Sequence, residues 1–194
     1  MTMQDPILIE LPAVIETERL RLRSPQAGDG AALYLAIQES LPDLRRFLAS
    51  VPWVATEQSI DASEIYCRNA AANFLTRKDM PFLLFEKSTG EIVGATGLHR
   101  AVWATPKFEV GYWGRSSKSG QGLITEAVKA VTELALGPLA AVRVELITDA
   151  ENHASRRLAE RCGYTLEGTL RSERRAPDGS LRDICMYARV AAPT

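Results

Sequence analysis

The sequence predicts a mixed α/β (α+β) domain built on a mostly antiparallel sheet of seven strands with helices on both faces. Two observations lead there. Apolar periodicity switches between two and about 3.6 residues in the order β, α, α, then three strands in a row, then αβαββ. The three consecutive strands are joined without helices and are antiparallel, whereas a later pair is separated by a helix and is therefore parallel. No repeat, low-complexity tract or Gly/Pro/Ser-rich linker divides the 194 residues, so 1–194 reads as one domain with a core at about 16–190 and an N-terminal extension at 1–15.

Each element has a local cause. Leu20 and Leu22 alternate with Arg19, Arg21 and Arg23, a half-buried strand that Ser24-Pro25 ends. Ala32, Leu33, Ala36 and Ile37 form a helical stripe from 29 to about 39, and a separate helical turn is expected at 43–49. Thr56 fits the N-cap of a longer helix to about 77, with Ile60, Glu64, Cys67, Ala71 and Phe74 at helical spacing. Segments 81–86 and 92–98 flank the turn Ser88-Thr89-Gly90-Glu91 as a hairpin, and 107–113 supplies the third strand. Residues 114–122 hold three glycines and almost no apolar side chain, which makes a loop. Leu123, Ala127, Ala130, Val131 and Leu134 line a helix over 123–136 that Gly137-Pro138 stops. A strand at 142–147, a second crossover helix at 152–162 with Gly163 at C′, and a closing hairpin of 164–170 with 182–190 complete the chain.

Composition removes several function classes. Twenty-three Lys and Arg against 24 Asp and Glu leave a net charge of -1, so no global positive field exists for nucleic acid or an anionic membrane. Cys67, Cys162 and Cys185 form an odd set without a Cys-x-x-Cys pair, as expected of thiols in a reducing compartment. The two histidines, His99 and His153, have no metal-ligand spacing, and no metal is expected. The apolar run Ile7-Leu8-Ile9 is flanked by Asp5 and Glu10 and is far too short to span a bilayer, so a cytoplasmic protein without a membrane partner is expected.

The most informative stretch runs from Gly111 to Leu123, where a strand enters a glycine-bearing loop that opens a helix. Backbone N–H groups at a helix N-terminus favour an anion such as a diphosphate, and glycine lets its oxygens approach the backbone. The dinucleotide fingerprint fails because Thr125 stands where its third glycine belongs, and the nucleoside-triphosphate loop fails for lack of a Gly-Lys-Ser/Thr triplet. A third pattern, [QR]-x-x-G-x-[GA], matches Ser117-Lys118-Ser119-Gly120-Gln121-Gly122 apart from serine at its first position.

That pattern is the acyl-CoA loop of the GNAT acetyltransferases, and the chain resembles that superfamily, within it the RimJ/RimL ribosomal-protein N-terminal acetyltransferase type. Glu16-Thr17-Glu18-Arg19-Leu20-Arg21-Leu22-Arg23 is similar to that group's opening strand, and Val110-Gly111-Tyr112-Trp113 with Thr125-Glu126-Ala127 to its central strand and helix. Asn152-His153-Ala154-Ser155, Leu158 and Gly163-Tyr164 follow its N-x-x-S…L…G-[FY] element; Glu167-Gly168, Leu170-Arg171, Asp183 and Tyr187 follow its closing hairpin.

The resemblance implies a central parallel strand pair splayed around acetyl-CoA, the co-substrate, and direct attack of a primary amine on its thioester. Tyr112, Trp113, Gly114, Lys118, Ser119, Gly120, Gln121, Gly122, Asn152 and Ser155 would contact the co-substrate, with Lys118 adding a point charge. A backbone N–H near Tyr112 or Trp113 would stabilise the oxyanion. Glu109 or Glu173 would serve as the base, and Ser155 would protonate the leaving thiolate, because Ala159 stands where many members carry a tyrosine. The acceptor would be a protein or peptide N-terminal α-amine; a small-molecule amine (amino acid, polyamine or amine antibiotic) and a non-catalytic acyl-CoA-binding module are the alternatives. Direct nucleic-acid binding is not expected, and a homodimer is a permitted assembly.

Overall fold

The computed structural model describes residues 5–49 and 51–191. Its strands are β1 (Val14–Glu16), β2 (Leu20–Arg23), β3 (Met80–Glu86), β4 (Ile92–Val102), β5 (Lys107–Gly114), β6 (Arg143–Asp149), β7 (Thr165–Arg175) and β8 (Leu181–Val190). Its helices are α1 (Gly30–Leu48), α2 (Pro52–Ala55), α3 (Ile60–Leu75), α4 (Leu123–Leu136) and α5 (His153–Arg161). The strands form one sheet in the order β1-β2-β3-β4-β5-β6-β8-β7, with β5–β6 its parallel pair.

The sheet has eight strands rather than the seven expected. Residues 14–16, expected to lie in or next to an N-terminal extension, fold back through the turn at Thr17 and pair with β2, Val14 opposite Arg23 and Glu16 opposite Arg21. Two helical boundaries also differ. Residues 30–48 make one helix through Pro42 instead of a helix and a separate turn. Leu33, Ala36, Ile37, Ser40 and Leu44 keep one buried stripe across the proline, and that burial outweighs the lost N–H. Ser59, not Thr56, caps α3: its Oγ accepts from the Ala62 N–H at 3.0 Å, while Thr56 ends α2.

Side-chain alternation along β3, β4 and β5 sorts the core into two layers. Leu83 and Ala95 meet Leu33, Ala36, Ile37 and Cys67 from α1 and α3. Phe82, Leu84, Phe108 and Val110 point the other way, onto Ala127, Val128, Val131 and Ala135 of α4, with Leu158 and Ala159 of α5 in the same cluster. Phe108 is wholly buried, edge-on to Trp103 at 5.1 Å, and truncating it to Ala costs about 3–5 kcal/mol. All three cysteines are buried and unpaired; burial raises the Cys67 thiol to about 12 and Cys162 to about 11. Among the described residues, no helix is long and apolar enough to cross a membrane.

One irregularity creates the site. β5 and β6 pair only from Lys107–Glu109 to Arg143–Glu145. Beyond that, β5 follows β4 to Gly114 while β6 follows β8 to Asp149. The two parallel strands therefore part, leaving backbone groups of β5 from Val110 onward without a strand on that side.

Candidate active site

At the end of β5 the chain turns through Ser116–Lys118 and reaches α4 by way of two left-handed glycines, Gly120 (φ 76°) and Gly122 (φ 78°). That conformation costs other L-residues about 1–2 kcal/mol, which explains why glycine stands at both places. The amides of Lys118 and Ser119 are used inside the turn by the carbonyls of Arg115 and Ser116. Among the described residues, the amides from Gly120 to Thr125 have no acceptor. They form a row of free donors at the positive end of α4, shaped for a multiply charged anion.

The loop is held before any ligand arrives. Arg115 Nε donates to Glu39 at 2.6 Å and the Ser117 N–H to the same carboxylate at 2.9 Å. The Ser116 N–H donates to Ser40 Oγ at 3.1 Å, and its hydroxyl bonds Asp43. On the other side, Arg19 donates to the Gln121 carbonyl at 2.8 Å and to Glu126 at 2.7 Å, and Glu126 also accepts from Thr17 at 2.6 Å and the Arg19 N–H. Burial raises the Glu126 carboxyl, but these hydrogen bonds more than offset it and leave it below the ordinary value. Arg19 thus neutralises an acidic group one turn into α4. Lys118 is engaged differently from the expected free charge: its ammonium bonds Glu86 at 2.6 Å and lies 3.3 Å from Glu91, contacts that raise its pKa.

Where β5 and β6 part, a cavity of about 450 Å³ opens. Of the residues singled out from the sequence, Glu109, Tyr112, Trp113, Asn152 and Ser155 line it together. Asn152 caps α5 by accepting from the Ser155 N–H at 3.1 Å, which aims Ser155 at β5. There the Tyr112 phenol and Ser155 Oγ meet at 2.6 Å. Burial pushes the Tyr112 phenol up and the Ser155 bond partly counters it, so the proton stays on oxygen at neutral pH. Gly114 packs on Ile124 at the foot of α4, where a Cβ would come within 2.9 Å of its side chain.

The opposite face of β5 serves the other end of the cavity. Glu109 is bonded by Arg100, from the cross-strand neighbour's side. Glu173 lies on an exposed bulge of β7 outside the cavity, while the adjacent Arg174 lines it. Trp53 and Tyr66 also line the cavity, Trp53 lying 6.2 Å from Trp113, whereas Trp103 packs on Phe108. Sequence reasoning missed one cluster here, His99 with Asp79: His99 Nδ1 lies 2.6 Å from Asp79 Oδ1. No local signal marks a contact between residues 20 positions apart.

A splayed parallel pair followed by a glycine loop of free amides suits a long thioester arm ending in a diphosphate, the ligand of an acyl-CoA-dependent acyltransferase. The chain belongs to the GNAT acetyltransferase family: residues 19–165 match the acetyltransferase (GNAT) domain. It is an N-acetyltransferase, and acetyl-CoA is its co-substrate. Among the described residues, no group of three or more His, Cys, Asp or Glu could hold a metal ion.

Relatives agree with that assignment. The chain is 26% identical to the uncharacterized N-acetyltransferase p20 of Bacillus licheniformis, over 89% of its own length and 93% of that protein. It is 28% identical to the ribosomal-protein-serine acetyltransferase of Escherichia coli over 56% of this chain and 59% of that one. Its fold is similar to the microcin C7 self-immunity acetyltransferase MccE in complex with acetyl-CoA and AMP (TM-score 0.83, 23% identity, 93% and 97% covered). It is likewise similar to RimL, ribosomal L7/L12 α-N-protein acetyltransferase, in complex with coenzyme A (TM-score 0.82, 22% identity, 92% and 98% covered).

Proposed function

We propose that this enzyme acetylates the α-amine of a protein or peptide N-terminus. The observation that carries this is the cavity, whose lining brings the Tyr112–Ser155 pair together with Trp53, Tyr66, Glu57 and Glu109. The aromatic walls offer side-chain contact to a peptide's first residue, and the Glu57 carboxylate offers charge to its ammonium. An α-amine near pKa 7.8 costs only about 1 kcal/mol to deprotonate at pH 7, against nearly 5 for a lysine, so a modest proton acceptor is enough. The names of RimL and of the ribosomal-protein-serine acetyltransferase point to the same acceptor.

When bound, acetyl-CoA supplies the acetyl thioester. The free amides from Gly120 to Thr125 hold its diphosphate, and β5 around Tyr112 and Trp113 offers its unpaired backbone to the pantetheine arm and an N–H to the developing oxyanion. Asn152 orients Ser155, and the Tyr112–Ser155 pair delivers a proton to the leaving thiolate. Of the two glutamates considered as bases, Glu109 stands in the cavity. Its carboxylate is held by Arg100.

The microcin immunity protein MccE, crystallised with acetyl-CoA and AMP, favours a second reading in which the acceptor is a small-molecule amine. The Tyr112–Ser155 pair speaks against a non-catalytic module, which needs no proton donor at the thiol. The buried, unpaired thiols accord with a cytoplasmic site of action. Mass spectrometry of short peptides, polyamines and amine antibiotics incubated with labelled acetyl-CoA tests the acceptor. Label on peptide N-termini supports the proposal; label confined to small amines replaces it with the second reading.

A further inference from the structure

The reaction needs a group that takes the amine's proton on the acceptor side of the sheet, and the residue that fits was not visible in the sequence. Alternation along β4 and β5 puts Gly97, His99, Glu109, Gly111 and Trp113 on the face covered by α1 and α3, while Tyr112 turns to the α5 side and Ser155. Proton donor and proton acceptor for the two halves of the reaction thus belong on opposite sides of the gap. Glu109 is on the acceptor side, but Arg100 occupies its carboxylate. His99 is its cross-strand neighbour, and among the described residues His99 Nε2 has no hydrogen-bond partner.

The imidazole is fixed at both edges. Nδ1 lies 2.6 Å from Asp79 Oδ1; a carboxylate only accepts, so Nδ1 carries the hydrogen, and in the neutral ring that leaves the lone pair on Nε2. The far edge of the ring lies over two glycines paired across β4 and β5. A Cβ on Gly97 would come within 3.0 Å of Nε2, and one on Gly111 within 3.1 Å of Nε2 and 2.9 Å of Cδ2. Two side-chain-free positions facing each other make the space in which this ring lies flat. They bring Nε2 beside Gly111, next to Tyr112, where the strand pair opens and the thioester belongs.

We propose that His99, oriented by Asp79, is the catalytic proton acceptor. This rests on the proposed acetyl transfer to an amine but not on which amine. The amine nitrogen bonds to the acetyl carbon as the carbon–sulfur bond breaks. The nitrogen's proton passes to His99 Nε2, directly or through one water, and the thiolate takes a proton from the Tyr112–Ser155 pair. Asp79 accepts the Nδ1–H throughout and stabilises the imidazolium, so it is a positioning residue. The other titratable groups lining the cavity are Glu109, paired with Arg100; Asp149, paired with Arg182; Tyr112, bonded to Ser155; and Glu57, Tyr66 and Arg174.

The test compares wild type, His99→Gln, Asp79→Asn and Glu109→Gln with whichever amine of the panel the wild type acetylates, following kcat and KM against pH. Acetyl-CoA affinity is measured by calorimetry, and imidazole nitrogen NMR reads the tautomer of the ligand-free protein. The expected results are a ~10²–10⁴-fold fall in kcat for His99→Gln with acetyl-CoA affinity retained. Asp79→Asn shifts the ascending limb of the pH profile and removes the Nδ1–H tautomer. A His99→Gln enzyme with wild-type kcat and pH profile, or a pH limb that moves with Glu109→Gln instead, overturns the proposal. If only small amines are acetylated, the acceptor reading fails while the same variants still decide the role of His99.

Discussion

Tyr112 Oη and Ser155 Oγ lie 2.6 Å apart, one on the strand that leaves its parallel neighbour and the other in the first turn of the helix that follows that neighbour. The contact spans the gap between the two strands, which ties the position of the proposed proton donor to the splay itself. Ala159, at the position where the family resemblance implies a tyrosine in many members, is wholly buried, and the phenol that lines the gap is that of Tyr112 on β5.

Ser155→Ala and Tyr112→Phe each remove one member of this pair. Either change should lower kcat about 10²-fold and leave acetyl-CoA affinity nearly unchanged. Because the two hydroxyls act as a unit, the double variant should lose little more than the worse single one. Steady-state kinetics checks both statements.

Gly122→Ala tests the loop. Nothing but the Arg19 guanidinium, 3.6 Å away, meets the added Cβ, so the fold persists with a left-handed alanine costing about 1–2 kcal/mol. The methyl stands among the free amides, and acetyl-CoA affinity should fall at least about tenfold, or ~1.4 kcal/mol. Calorimetry and a thermal melt separate the two effects.

Arg19→Ala leaves the Glu126 carboxylate without its ion-pair partner beside the proposed diphosphate site. The KM for acetyl-CoA should rise about tenfold, and adding Glu126→Gln should recover most of it, a coupling that a double-mutant cycle measures.

Much of this was legible in the sequence, and what was not has a common physical cause. Helix α4 lies at 123–136 as its stripe of Leu123, Ala127, Val131 and Leu134 predicts, because periodicity and the Gly137-Pro138 stop are local. Glu109, Tyr112, Trp113, Asn152 and Ser155 share a cavity because a family pattern in chain order carries its geometry with it. What escaped depends on contacts between distant residues. β1 exists only through its pairing with β2, and α1 passes Pro42 only because tertiary packing rewards its stripe. Lys118 is held by Glu86 and Glu91 from the β3–β4 hairpin, and His99 meets Asp79 across a strand connection.

Glu39 makes the loop's anchoring depend on pH. Hydrogen bonds from Ser117 and Arg115 hold its carboxyl at about 2, below the ordinary 4.5. A depressed folded-state pKa contributes stability above the ordinary value that is lost as pH falls toward the folded value. Wild type should therefore be more stable than Glu39→Gln at neutral pH, and the difference should shrink between pH 4.5 and about 2. Denaturant unfolding of both proteins across that range measures it.

In the proposed complex the amides from Gly120 to Thr125 grip the diphosphate of acetyl-CoA while its arm enters the gap between β5 and β6. Amide NMR of the labelled protein, titrated with acetyl-CoA, tests it most directly. The largest shifts should fall on Gly120 to Thr125 and on Tyr112 and Trp113. Saturable binding that leaves those amides unmoved, with its shifts elsewhere on the sheet, would contradict it.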